Sequence, residues 1–301
     1  MNYQPTDHRN TQAALSQVIA EAMAVLKPPP RQSVAEWADL ERRLSSEASA
    51  EAGKWHTARA NYQRGIMDAI SDPRNRDVVV MAGAQVGKTE MILNVIGYHI
   101  AHDPSPILVV QPTLDMAQAF SKDRLAPMLR DTPQLRGKVK DPRARDANNT
   151  TTHKVFPGGH ISLVGSNSPS GLASRPIRIV LCDEVDRYPA SAGSEGDPIQ
   201  LARKRSATFW NRKILMVSTP TNKGASRIET AFEESDKRRY HVPCEDCGHE
   251  QTLKWSGVQW EKDRPETAVY VCEECGSCWD DAKRNRAVRK GYWIATEEFT
   301  G

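Results

Sequence analysis

Ile177-Arg178-Ile179-Val180-Leu181-Cys182-Asp183-Glu184 is an apolar run closed by two acids. A short apolar run bounded in this way reads as a fully buried central strand with the acid pair at its carboxyl end. Upstream, Asp77-Val78-Val79-Val80-Met81 reads as another strand and Glu90-Met91-Ile92-Leu93-Asn94-Val95-Ile96 as a helix. Between them stand Ala82, Gly83, Ala84, Gln85, Val86, Gly87, Lys88 and Thr89. Strand, loop and helix in that order suit a phosphate loop. Backbone N–H groups at a helix N-terminus cradle phosphate oxygens, and the aligned peptide dipoles favour negative charge there. In that role Lys88 neutralises the β- and γ-phosphates of a nucleotide and the Thr89 hydroxyl ligates Mg2+. Asp183 holds the same ion, directly or through water, and Glu184 polarises the attacking water. Together, and in this order, the two signals describe a nucleotide triphosphatase.

The loop departs from the usual G-x-x-x-x-G-K-[ST] pattern at its first glycine, which here is Ala82, with Gly83 one place later; its Gly87-Lys88-Thr89 end is intact. A chance Gly-Lys-Thr in a strand–helix turn is the bland alternative for the first signal. For the acid pair it is a solvated strand end, which fits poorly after so apolar a strand.

Size and composition set outer limits. The 301 residues suffice for one large domain with an appendage, or for two domains. With 39% hydrophobic and 26% charged residues the chain can bury a core, and a formal charge of only +3 provides no global basic field for nucleic acid. No run approaches the roughly 18 apolar residues of a membrane span. Met1-Asn2-Tyr3-Gln4-Pro5-Thr6-Asp7 lacks an export pattern, so a cytosolic protein is expected.

Strand-like segments at 77–81, 106–111, 161–165, 177–182 and 213–218 alternate with helical stretches after 89, 114 and 198. The expected fold is α/β, a parallel sheet covered by helices, with ligands at the carboxyl ends of the strands. Gly158-Gly159 looks like a hairpin turn. Residues 11–26 carry helical periodicity before the stiff linker Lys27-Pro28-Pro29-Pro30-Arg31, and Ser33-Val34-Ala35-Glu36 resembles a capping box opening a helix through Trp37 and Leu40. The expected organisation is a helical arm and linker over 1–55, an ATPase domain over 56–238, a cysteine ribbon over 239–282 and the start of a further linker over 283–301. Basic stretches occur at 136–149, 203–205, 212–213, 283–286 and 289–290; each is either solvated surface or a DNA contact.

Of the six cysteines, Cys182 lies inside the apolar strand and reads as a small core residue. Cys244-Glu245-Asp246-Cys247-Gly248 and Cys272-Glu273-Glu274-Cys275-Gly276 are matched C-x-x-C-G knuckles. Four thiolates at this spacing form a closed tetrahedral Zn2+ site, structural because no position stays open for water. An unmetallated redox pair rarely comes as two such knuckles. Cys278 and His249 lie nearby but off the repeated positions. Thr252-Leu253-Lys254-Trp255 and Ala268-Val269-Tyr270-Val271 read as strands of the ribbon.

Further stretches carry a resemblance: Glu36-Trp37-Ala38, Gly53-Lys54-Trp55, Tyr62-Gln63-Arg64, Ile66-Met67-Asp68, Ser166-Asn167-Ser168-Pro169, Asp183-Glu184-Val185-Asp186-Arg187-Tyr188-Pro189, Ser218-Thr219-Pro220 and Gly291-Tyr292-Trp293. With the knuckles, they make the chain from about Val34 to Trp293 similar to the large terminase subunit of tailed bacteriophages, in the branch typified by the phage lambda packaging enzyme. The resemblance implies ATP as the nucleotide, with Tyr62 stacking on the adenine and Gln63 pairing with its edge. A half-buried packing tyrosine is the alternative for Tyr62. Ser218, Thr219 and Pro220 become a coupling motif that senses the γ-phosphate, although a serine–threonine turn before proline is also an ordinary strand exit. The implied activity is ATP-driven movement of duplex viral DNA into a procapsid, in the host bacterial cytoplasm. The implied partners are a small terminase subunit, the portal, and further copies in a ring.

Three departures stand out. Some related motors carry an arginine in the phosphate loop where this chain has Ala84 or Gln85, so Arg64, Arg175 or a neighbouring subunit must supply that charge. Asn61 replaces a proline often found before the Tyr-Gln pair. The family continues into a metal-dependent nuclease domain, for which no acidic cluster follows the ribbon here, and no nuclease site is assigned. Another P-loop DNA translocase of helicase-like kind, and a zinc-ribbon DNA-binding scaffold with a vestigial nucleotide site, are the competing readings.

Overall fold

Alternating residues of every central strand go to opposite sides of one sheet. In the computed structural model, which describes residues 32–49, 51–140, 149–173 and 175–299, the strands are β1 (Asp77–Met81), β2 (Ile107–Gln111), β3 (His153–Phe156), β4 (Gly159–Gly165), β5 (Ile179–Asp183) and β6 (Lys213–Ser218). Their order is β1-β6-β5-β2-β4-β3. All neighbours are parallel except β3, which returns antiparallel on β4. Every residue of β2, β5 and β6 is buried, as expected of strands covered on both faces. Ile107, Val109, Ile179, Leu181, Leu215 and Val217 enter one core, and Leu108, Val110, Val180, Cys182, Ile214 and Met216 the other.

The first core is roofed by α1 (Val34–Glu41), α2 (Tyr62–Ser71) and α3 (Lys88–Ala101), through Trp37, Met67, Ile92 and Ile96. The expected capping box opens α1: Ser33 Oγ accepts from Glu36 N at 3.2 Å, and Glu36 Oε2 accepts from Ser33 N at 2.8 Å. Buried Arg42, just past α1, pairs with Glu90 of α3 at 2.9 Å. The second core is covered by α6 (Pro169–Ala173), α7 (Pro198–Arg205) and α8 (Arg227–Glu233), through Leu172, Ile199, Leu201 and Ile228. Between β2 and β3 the chain runs through α4 (Leu114–Ala119), a π-helical turn (Phe120–Leu125) and α5 (Ala126–Asp131). The β3–β4 hairpin turns on Pro157-Gly158, one residue earlier than expected, because Gly159 already pairs with Phe156. Gly158 has φ +84°, a conformation glycine adopts without strain.

The cysteine-bearing lobe contains two three-stranded antiparallel sheets. One orders β8 (Glu250–Gln251), β7 (Arg239–Pro243) and β12 (Tyr292–Ile294); the other β9 (Val258–Glu261), β10 (Arg264–Val271) and β11 (Cys278–Trp279). Fully buried Trp279 packs on Tyr270 at 5.3 Å between ring centroids. Ala268–Val271 lie in β10 as expected, but Thr252–Trp255 form no strand. Lys254 N donates to Tyr270 Oη at 3.3 Å, and the Tyr270 ring abuts Gly257, so the chain turns around that ring instead of continuing a ladder. Residues expected to begin a linker form α9 (Asp281–Lys290) and then β12. The α9 cations face acids: Lys283 meets Asp246 at 2.5 Å, and Arg286 and Lys290 meet Glu245 at 3.1 and 3.0 Å. Lys213 is spent on the backbone carbonyls of Asp72 and Asn75, and Arg203 on Asp77 at 2.6 Å. The helix expected over 11–26, its linker, and residues 141–148 of the basic loop lie outside the described residues. No helix among the described residues is long and apolar enough to cross a membrane.

Candidate active site

The loop Ala82–Gly87 leaves β1 and delivers Lys88 as the first residue of α3. Gly87 has φ +80°, and the Gln63 amide occupies the space its Cβ would need, so this position demands glycine twice over. Lys88 is 6% exposed and its Nζ is held by Gly83 O at 2.8 Å and Thr219 Oγ1 at 2.7 Å, with Glu184 Oε1 at 3.7 Å. Thr89 follows in the first turn of α3.

Sheet order explains the convergence. β6 lies between β1 and β5, so the residues leaving its carboxyl end stand between Lys88 and the acid pair. Asp183 ends β5 nearly buried, and that burial pushes its carboxyl above the ordinary range, opposed by a hydrogen bond from Gln111 Nε2 at 3.0 Å. Glu184 turns the chain in a left-handed conformation, φ +52°, which is costly for a residue with a Cβ and is characteristic of functional turns. Ser218 Oγ accepts from Asp186 N at 3.2 Å. Asp186 in turn accepts from Thr221 N and Oγ1 at 2.9 and 3.0 Å and from Ile228 N at 2.8 Å, knitting the acid turn to the strand exit and α8. Pro220 is exposed beside them.

Tyr62 and Gln63 open α2 beside the loop. Tyr62 Oη and Gln63 Nε2 both donate to Val86 O, at 3.2 and 3.0 Å, while Gln63 Oε1 is buried without a partner. Burial raises the half-buried Tyr62 phenol above its ordinary pKa. Arg64 pairs with Asp39 at 2.6 Å and Arg175 donates to His153 Nε2 at 3.0 Å, so both candidate arginines have other partners.

The four knuckle cysteines converge, with ligand atoms all within 4.8 Å of one another. Sulfurs of Cys244 and Cys275, and of Cys247 and Cys272, stand 3.8 Å apart. A tetrahedron with ligand bonds of about 2.3 Å has edges of about 3.8 Å, so the cluster is compatible with zinc. The knuckles are built alike: Gly248 N donates to Cys244 O and Gly276 N to Cys272 O, with φ +75° and +71° at the glycines. Cys278 stands apart, exposed, and His249 pairs with Glu273 at 3.3 Å. Cys182 is core, its thiol pushed by burial up to about 12.

The structure thus brings together Lys88, Asp183, Glu184 and Thr219, and separately the four cysteines. Sequence reasoning missed Gln111 and Asp186. A lone amide ending the apolar strand Ile107–Gln111 was the available signal for the first; Asp186 sat inside a quoted motif with no role.

A lysine-tipped strand–loop–helix turn facing an acid pair, at the carboxyl ends of a parallel sheet, defines the class as a nucleoside triphosphatase. Residues 49–293 match the phage terminase large subunit gpA, ATPase domain, and the chain belongs to that family. The large terminase subunit of Enterobacteria phage P21 is 31% identical over 98% of this chain and 46% of its own length. That of Escherichia phage lambda is 32% identical over 85% of this chain and 41% of its own. The chain therefore spans less than half of these curated relatives. The ATPase domain of the Thermus phage P74-26 large terminase aligns over 64% of this chain and 76% of its own, at 18% identity and a TM-score of 0.39.

Proposed function

We propose that this chain is the ATP-hydrolysing motor part of a terminase large subunit, moving duplex viral DNA through a portal into a procapsid. The convergence of Lys88, Glu184 and Thr219 at the carboxyl ends of neighbouring strands supports this most directly. Ala82 to Thr89 bind the phosphates, and Tyr62 and Gln63 flank the adenine. Thr89 and Asp183 hold Mg2+, which supplies charge to the phosphoryl oxygens. Lys88 exchanges Thr219 for phosphate, and Glu184 orients and deprotonates the attacking water. Ser218, Thr219 and Pro220 relay the state of the site toward Asp186 and α8. Cys244, Cys247, Cys272 and Cys275 hold one structural Zn2+ in a ribbon over 239–282, following an ATPase domain over 56–238 and an arm over 1–55. The missing positive charge comes from a neighbouring copy in a ring, since Arg64 and Arg175 are occupied. The setting is the host cytoplasm, with the small terminase subunit as partner.

The test is protection of duplex DNA from nuclease in a procapsid system, using the full-length subunit that contains this segment. ATP-dependent protection with the matching portal and small subunit is expected. Active ATPase without protection would refute the packaging role.

A further inference from the structure

The chain after the knuckles doubles back to the nucleotide site. β12 pairs with β7, Trp293 opposite Tyr240, and Trp293 Nε1 donates to Tyr62 O at 2.8 Å. The indole lies against Gly65, where a Cβ would stand 2.5 Å from Trp293 Cδ1. The Tyr240 ring meets Trp293 at 5.3 Å and Tyr62 at 6.1 Å between centroids, edge to face. Asn61 Nδ2 reaches Arg289 O at 3.0 Å. On its other side the same helical turn grips the phosphate loop, through Tyr62 and Gln63 on Val86 O. Asn61 makes no side-chain cap to α2, so the placement of this turn depends on contacts from outside the helix.

We infer that Trp293 is a positioning residue of the nucleotide site: by clamping the first turn of α2 it fixes Val86, and with it the backbone that enters Gly87-Lys88. This rests on the nucleotide-binding reading above. Trp293 belongs to none of the three buried clusters, so its contacts serve the turn more than the cores.

Two measurements test it on the whole chain: amide hydrogen exchange at residues 83–88 and affinity for ADP with Mg2+. Trp293→Ala should speed exchange there and weaken ADP by roughly three- to tenfold each, the effect of one or two neutral hydrogen bonds. Trp293→Phe, which keeps a ring but loses Nε1, should fall between. Gly65→Ala displaces the indole and should reproduce Trp293→Ala, while the double variant should be no worse than Trp293→Ala alone. Exchange needs no nucleotide, so the two ideas separate. A parent that fails to bind ADP overturns the nucleotide reading. Parent-like exchange at 83–88 in Gly65→Ala and Trp293→Phe, or additive effects in the double variant, overturns the clamp even if Trp293→Ala does not fold.

Discussion

Lys88 Nζ donates to Thr219 Oγ1 at 2.7 Å, joining the end of the phosphate loop to the residue just past β6. Should Lys88 exchange this bond for a phosphate, as proposed above, Thr219 would report the occupancy of the site. Thr219→Val should therefore bind ATP at least as tightly as the parent, yet hydrolyse it about tenfold more slowly, one hydrogen bond's worth of misplacement. Lys88→Ala should lower kcat/KM by about a hundredfold or more, and Glu184→Gln should keep ATP binding while turnover falls on the order of a hundredfold. Phosphate release and equilibrium binding of a fluorescent ATP analogue check all three. If Thr219→Val loses binding as Lys88→Ala does, the coupling role is wrong.

Asp183, proposed above to hold Mg2+, is buried at a cost to the fold. Its folded pKa is raised by burial, so the native state keeps the proton over a pH range in which the unfolded chain has released it. Stability consequently declines as pH rises from the unfolded value near 3.8 through the raised folded one, and the penalty then persists at neutral pH. Asp183→Asn removes it, and the Gln111 amide can turn over to face the new side chain. Without Mg2+, its Tm should exceed the parent's by about 2 °C or more at pH 7, the advantage shrinking toward pH 4, while ATP turnover is lost. Thermal melts across that pH range decide; a lower Tm at pH 7 would show that the carboxylate is favourably paired.

α1 is locked to α3 by Trp37, whose ring covers Gly97 and whose Nε1 donates to Gln134 Oε1 at 2.7 Å. A methyl at position 97 cannot coexist with the ring where it stands. Gly97→Ala should cost about 1–3 kcal/mol by overpacking, against about 1 kcal/mol for removing the Ser33 cap. Denaturant melts of the two variants should rank them in that order.

Local patterns carried much of this molecule. β1, the loop and α3 were readable because strand, turn and helix signals are contiguous, and β5 because an entirely apolar run has few other fates. Sheet order was not readable: β6 comes last of the six yet inserts between β1 and β5, through pairings between residues far apart in sequence. Thr219 could thus be placed near a strand end but not against Lys88. Gln111 and Trp293 meet partners far away in sequence, contacts that leave no periodicity. The pairing of Lys283, Arg286 and Lys290 with Asp246 and Glu245 was not readable either, since those acids sit in the first knuckle, far away in sequence. The tight C-x-x-C-G turns, by contrast, are local and converge as expected.

The cysteine cluster separates four sulfurs from a fifth nearby. Cys278 is exposed and its Sγ faces Gly276 O, outside the group of four. Elemental analysis should find about one zinc per chain in the parent and in Cys278→Ser, and markedly less in Cys275→Ser. The lobe's buried cluster is small, essentially Val242, Tyr270, Trp279 and Ala287 around two of the sulfurs. Metal binding of roughly 10 kcal/mol or more in comparable closed sites outweighs what so few side chains contribute, so the lobe should not survive metal loss. After chelation, amides of 239–279 should exchange rapidly while those of β5 and β6, buried on both faces, stay protected. A metal-free parent protein with a protected lobe would rule out the zinc site.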